Sequence, residues 1–192
     1  MSVMSRREPT GVKMKVILFL ATFAFSLIST VANANPDLSL VFMMQYKLNK
    51  HGFPIGESDG KLGPATKKGL AAFAAEYGIS ENAEAVIKHM LNLSIAARMP
   101  IIDEKMLSII EIGVANELRD PSSIMLRDIY IVSDAGFEIV CGEVNGRNAY
   151  GGYAGYTTFY GVYLMNTFIF SDMDDTETDF AALQCALAFP KK

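Results

Sequence analysis

The chain predicts an α plus α+β fold. A small three-helix unit occupies residues 35–98, and a small helix–antiparallel sheet–helix unit follows over residues 101–192. Three observations carry this. Apolar residues recur at helical spacing in three short stretches before residue 98. Beyond residue 101 one amphipathic stretch is followed by runs rich in Tyr, Phe, Val and Ile. Between the two lies Arg98-Met99-Pro100, where proline disfavours helix at the residue before it.

The elements follow in order. Leu40, Val41, Met44 and Leu48 share a helical face. Pro36 suits a first helical position, where its missing N–H is no loss. His51-Gly52 ends this helix, with Gly52 free to take positive φ. Pro64 opens a second helix striped by Leu70, Phe73 and Tyr77, and Gly78 stops it. A third helix is expected from Asn82 to Leu93 on Val86, Met90 and Leu93. Three short helices make a small core, so the intervening loop must pack tightly.

In the second unit Asp103 is the expected N-cap of a helix marked by Met106, Ile109, Ile110, Val114 and Leu118. Asp120-Pro121-Ser122-Ser123 breaks it. Leu126 to Val132 alternates as a strand, Asp134-Ala135-Gly136 turns, and Phe137 to Val144 returns. Residues 145–152 are a Gly/Asn-rich loop. Tyr153 to Phe170 holds two strands or one strongly bent strand. Glu177 to Ala186 is expected to be helical, with Thr176 as cap.

Met14 to Phe25 is a charge followed by an apolar run, and Ala32-Asn33-Ala34 gives the small-x-small pattern of a signal-peptidase site. Cleavage is expected after Ala34, with Met14 the true start. The apolar run falls short of the ~20 residues a membrane span needs. The rival reading is an uncleaved anchor. Of the 17 basic and 21 acidic residues, four basic and one acidic lie in 1–34. The remaining 158 residues therefore carry 13 basic and 20 acidic residues, a net charge near −7. No Lys/Arg cluster survives beyond Lys67-Lys68, so neither nucleic acid nor an anionic lipid surface is an expected partner. No membrane span is expected after processing, and the compartment is periplasmic or secreted. Cys141 and Cys185 make an even pair, expected to form one disulfide in that oxidising setting.

Gln45-Tyr46-Lys47-Leu48-Asn49-Lys50-His51-Gly52-Phe53 is followed by Asp59-Gly60-Lys61-Leu62-Gly63-Pro64-Ala65-Thr66 and Gly69-Leu70-Ala71-Ala72-Phe73. Over residues 38–79 this resembles the three-helix peptidoglycan-binding domain appended to many bacterial cell-wall enzymes. The resemblance covers about a quarter of the chain. It implies peptidoglycan or its fragments as ligand, at a groove bordered by Gln45, Tyr46, Phe53, Asp59, Gly60, Gly63, Thr66 and Phe73. Asp59, Gly60 and Gly63 are expected chiefly to hold the loop, with both glycines free to take positive φ. Ala74 stands where that family commonly has Gln.

A second stretch includes Leu118-Arg119-Asp120-Pro121-Ser122-Ser123, Cys141-Gly142-Glu143-Val144-Asn145 and Gly151-Gly152-Tyr153-Ala154-Gly155-Tyr156. It resembles a recurrent small domain of exported bacterial proteins, and this resemblance implies no activity. Glu143, Asn145, Arg147, Asn148, Tyr150 and Tyr153 surround Gly151-Gly152. They form a possible second site for a sugar or a peptide terminus, or simply a tight loop built by Asn and Gly.

Asp172, Asp174, Asp175, Glu177 and Asp179 form an acidic run without EF-hand spacing, so no metal is expected there. Acidic residues opening a helix suit its dipole in any case. No cofactor is implied. The two histidines, His51 and His89, do not make a zinc amidase site, although His51 with Asp59 is left open. A Cys-His peptidase is not expected, because both histidines fall in the helical unit and the two cysteines are expected to pair.

The expectation is an exported, non-catalytic envelope protein. It binds peptidoglycan through residues 35–98 and presents a C-terminal interaction surface. One alternative is a cell-wall hydrolase with Glu143 as acid/base. Another is a structural component of an envelope assembly, with an envelope protein as partner.

Overall fold

Asp37 starts the first helix, α1 (Leu38–Lys50), by accepting the Ser39 N–H. In this computed structural model residues 37–174 and 179–191 are described. Signal cleavage after Ala34, the start at Met14, Pro36 as a first helical residue and Thr176 as a cap all lie outside them. Gly52 follows α1 at φ +91°. The second helix, α2 (Pro64–Tyr77), opens on its proline and ends at Gly78 in the left-handed region. The third, α3 (Ala83–Ala97), is capped by the Asn82 side chain. It runs four residues beyond the expected Leu93, because buried Ser94 is anchored at its far end by a bond described below.

The stretch read as a boundary is a short strand, β1 (Met99–Pro100). The fourth helix, α4 (Glu104–Ala115), is capped by Asp103. A 3-10 turn at Pro121–Ser123 breaks the chain where expected. Four longer strands follow: β2 (Met125–Asp134), β3 (Phe137–Asn145), β4 (Thr157–Leu164) and β5 (Thr167–Met173). The last helix is α5 (Phe180–Ala186). The described residues thus form a mixed α/β structure with five α-helices and a five-stranded antiparallel sheet in the order β1-β2-β3-β4-β5.

Two tight turns make the hairpins. Ala135 and Gly136 join β2 to β3, and Met165 and Asn166 join β4 to β5. All four residues have positive φ, as two-residue turns matched to strand twist require. The stretch 153–170 therefore holds two strands, and residues 153–156 remain outside them. A bulge interrupts β2, where Asp128 and Ile129 lie between the pairs Arg127↔Glu143 and Tyr130↔Cys141. Asp128 sits at φ +52°.

The pleat divides the sheet between two cores. Val140, Val144, Phe159 and Phe168 pack against Ile110 and Val114 of α4. Glycine is required on that face: a Cβ on Gly161 would stand 2.3 Å from the Phe168 ring and 2.5 Å from the Ile169 carbonyl. On the other face Val132, Ile139 and Cys141 meet Cys185 and Ala188. The disulfide Cys141–Cys185 links β3 to α5, as expected.

A third cluster joins α1, α2 and α3 through Met44, Leu48, Phe73, Val86 and Met90. Leu187 and Phe189, from the last segment of the chain, are fully buried in it. Ser94 donates to the Cys185 carbonyl at 3.2 Å, fastening α3 to α5. All described residues belong to one compact unit. Among them no helix is long and apolar enough to cross a membrane. This and the disulfide are compatible with an extracellular location.

Candidate functional site

Gln45 organises the loop between α1 and α2. Its amide nitrogen lies 3.0 Å from the Asp59 carboxylate, 2.9 Å from the Lys61 carbonyl and 2.9 Å from Thr66 Oγ1. Its carbonyl accepts from the Asp59 N–H at 2.9 Å and the Gly60 N–H at 2.7 Å. An amide has only two hydrogens, so three acceptors share them. The Lys61 N–H and the Gln45 amide hold the Asp59 carboxyl below the usual carboxylate range. Gly60 is at φ +73°, and a Cβ there would stand 2.6 Å from Leu38 Cδ1. Gly63 differs from expectation: as N-cap of α2 it has φ −75°, a value any residue adopts, so its positive-φ freedom is unused.

The implied groove residues therefore divide. Gln45, Thr66 and Phe73 are buried and position the loop from beneath. Phe53 is half-buried, edge-on to Phe73 at 5.2 Å. Tyr46 packs on the same cluster, with Lys50 Nζ 5.4 Å from its ring centroid. Ala74 is buried as well, so the position commonly held by Gln faces the core here. Asp59 is exposed, Ser58 is half-buried and Gly60 is buried. They form one wall of a cleft of about 700 Å³. Leu38 and Phe42 of α1 and Phe180 of α5 expose apolar surface in it beside Ser58 and Asp59. Sequence reading missed Phe42 and Phe180, because nothing in the sequence placed α5 beside the loop.

A buried polar cluster lies between the helices and the sheet. Asp134, the last residue of β2, receives Lys47 Nζ at 2.5 Å and His51 Nε2 at 2.9 Å, both from α1 and its cap. Gln184 of α5 approaches at 3.4 Å. A carboxylate only accepts, so His51 carries its proton on Nε2. The other side of the imidazole stacks on Phe189 at 3.8 Å. Burial pulls the Lys47 pKa down against the attraction of Asp134. For Asp134 burial acts upward, but the His51 hydrogen bond and the Lys47 charge together outweigh it and the pKa is lowered. In sequence Asp134 read as a turn residue and Lys47 carried no signal.

The second predicted set is spread along the end of β3 and the loop that follows it. Glu143 is half-buried and ion-paired with Arg127 Nε, whose guanidinium lies 3.7 Å from the Tyr156 ring centroid. Asn145 ends β3, with Oδ1 buried and unpartnered. Asn148 builds the loop, accepting the Tyr150 N–H at 2.9 Å and the Gly152 N–H at 3.2 Å. Tyr150 projects fully into solvent, and Tyr153 is bridged to Arg147. Ser123 accepts the Arg147 N–H and fixes the loop base. The loop reading describes these residues better than a convergent site.

The acidic run serves the chain locally. Asp174 accepts the Ala181 N–H at 2.7 Å and the Ala182 N–H at 3.0 Å, capping α5 from outside the helix. Burial raises its pKa despite those bonds. Asp179 makes no side-chain cap bond, and Asp175 and Glu177 lie outside the described residues. Among the described residues no three His, Cys, Asp or Glu side chains gather as metal ligands. His51 is committed to Asp134, and Asp59 to Gln45. His89 lies beside the stacked Phe73 and Tyr77 rings, its Nε2 buried without a hydrogen-bond partner.

Comparison with models of protein families, with curated proteins and with solved structures returns no match. The likeness of residues 38–79 to the wall-binding domain accordingly rests on its motif residues alone.

Proposed function

We propose that this is an exported, non-catalytic cell-envelope protein that binds peptidoglycan fragments in the cleft between the Asp-Gly loop and α5. In this reading α1, α2 and α3 are the peptidoglycan-binding-like unit. The observation that carries it is the Gln45-centred network, which fixes a surface loop beside a 700 Å³ cleft. Pockets of this size, apolar with a few placed polar groups, suit small ligands and short oligomers. Phe42 and Phe180 offer apolar contact to a sugar or peptide, and Asp59 and Ser58 offer polar contact. Export is the compartment in which both the disulfide and such a ligand occur. The hydrolase alternative is disfavoured because the Glu143 carboxylate is held in an ion pair with Arg127.

Calorimetric titration of soluble muropeptides into residues 35–192 tests this. Saturable binding lost in Phe42→Asp and Phe180→Asp, with the ligand recovered uncleaved, is the expected result. Undiminished binding in both variants would put the ligand elsewhere, and cleavage lost in Glu143→Gln would restore the hydrolase reading.

A further inference from the structure

A smaller groove opens on the sheet face that carries the disulfide. Its volume is about 220 Å³, and it lies between β2, β3, β4 and α5. Arg98, the C-cap of α3, forms one wall, with its guanidinium 4.5 Å from the Tyr130 ring centroid. Arg98 Nε is buried and has no hydrogen-bond partner. Among the described residues no carboxylate stands within ion-pair distance of Arg98. Arg98 as a whole is only half-buried, but a covered N–H without an acceptor is costly, so this edge of the guanidinium is set up to receive one.

The acidic residues of the groove face Arg127 rather than Arg98. Glu143 pairs with Arg127 Nε, and Asp128 Oδ2 stands 3.8 Å from the same atom. Asp128 is placed there by the β2 bulge, in a conformation few non-glycine residues adopt. Bulges re-aim side chains in this way beside binding sites. One end of the groove therefore holds a guanidinium with an unpartnered N–H, and the other holds the Glu143 carboxylate, whose remaining lone pairs can accept further hydrogen bonds. Thr158, paired across from Glu143, adds a hydroxyl.

We propose that this groove binds the carboxylate of a small amino acid or of the C-terminal residue of a short peptide. Arg98 grips the carboxylate, and Glu143 accepts from the ammonium or amide N–H. Arginine suits the task because its planar fork matches a carboxylate. The site is separate from the cleft beside the Asp-Gly loop and stands whether or not that cleft binds wall material.

The test is amide NMR of residues 35–192 titrated separately with glycine, with D-alanyl-D-alanine and with alaninamide. Saturable shifts clustered at Arg98, Tyr130 and Glu143 are expected with the first two. Alaninamide, lacking the carboxylate, is expected to bind about tenfold more weakly or worse. Shifts with the dipeptide alone assign a peptide terminus, and shifts with glycine as well assign a free amino acid. Arg98→Met, checked for a folded spectrum, is expected to lose about tenfold or more in affinity. No clustered shift with either carboxylate, or equal affinity for alaninamide, overturns the proposal without reliance on any variant.

Discussion

Lys47 of α1 and Asp134 at the end of β2 stand 2.5 Å apart, with side chains 0% and 6% exposed. They lie 87 residues apart in sequence, so this contact joins the helical layer to the sheet. A buried ion pair is weak evidence for net stability, because desolvation offsets much of its attraction. Its geometric role is clearer. His51, Gln184 and Lys47 all converge on one carboxylate, fixing where α1 and α5 sit against the hairpin.

Removing one partner leaves the other charged and buried. Asp134→Asn is expected to cost about 3–5 kcal/mol, read from urea unfolding. Pairing it with Lys47→Met should recover part of that loss, since the orphaned charge is gone. Strict additivity of the two single changes would show that the residues are not coupled.

The same carboxylate sets an acid limit. Its folded pKa is lowered, so its stabilisation is fully present above the unfolded value of about 3.9 and is lost as pH falls through the folded value. The unfolding midpoint is expected to drop below about pH 4, and to drop less in Asp134→Asn. Equal acid sensitivity in both proteins would assign the effect to other carboxylates.

Gln45→Ala removes the centre of the loop network and takes the acceptor from the Asp59 and Gly60 N–H groups, while Thr66 keeps its bond to the Lys61 carbonyl. A loss of about 2–4 kcal/mol is expected. Faster hydrogen exchange confined to residues 56–66 should accompany it, because the other loop bonds cannot close the turn alone.

The disulfide closes a loop with a sequence separation of 44. Its removal by Cys141→Ala/Cys185→Ala is expected to cost about 4 kcal/mol by chain entropy. Thermal melts of the variant and of the reduced protein should agree. A variant as stable as the oxidised protein would mean that the packing of Ala188 and Phe189 already holds α5 in place.

Much of the fold was legible because local chemistry agrees with it. Pro64, Gly78, Asn82, Asp103 and the Ala135-Gly136 turn mark ends that sterics and caps dictate, whereas the Asp37 cap of α1 was not read from the sequence. What escaped depends on contacts far apart in sequence. Asp134 has a turn residue's neighbours, and only the arrival of α1 and α5 makes it an ion-pair partner. Asp174 caps a helix whose first residue is Phe180, so the spacing hides the cap. The Gln45–Asp59–Thr66 motif marked one hydrogen-bonded loop, in which Gln45 and Thr66 are buried while Asp59 lines the cleft together with Phe42 and Phe180. Arg98 read as part of a boundary before a proline. Its place in the smaller groove appears only when the fold brings it beside Tyr130.

Co-sedimentation of residues 35–192 with purified, insoluble peptidoglycan tests the wall-binding claim most directly. The wild-type protein should pellet, Phe42→Asp/Phe180→Asp should stay in the supernatant with an unchanged melting temperature, and no soluble muropeptide should be released. A wild-type protein that stays in solution at every peptidoglycan load, or a double variant that pellets equally well, would contradict it.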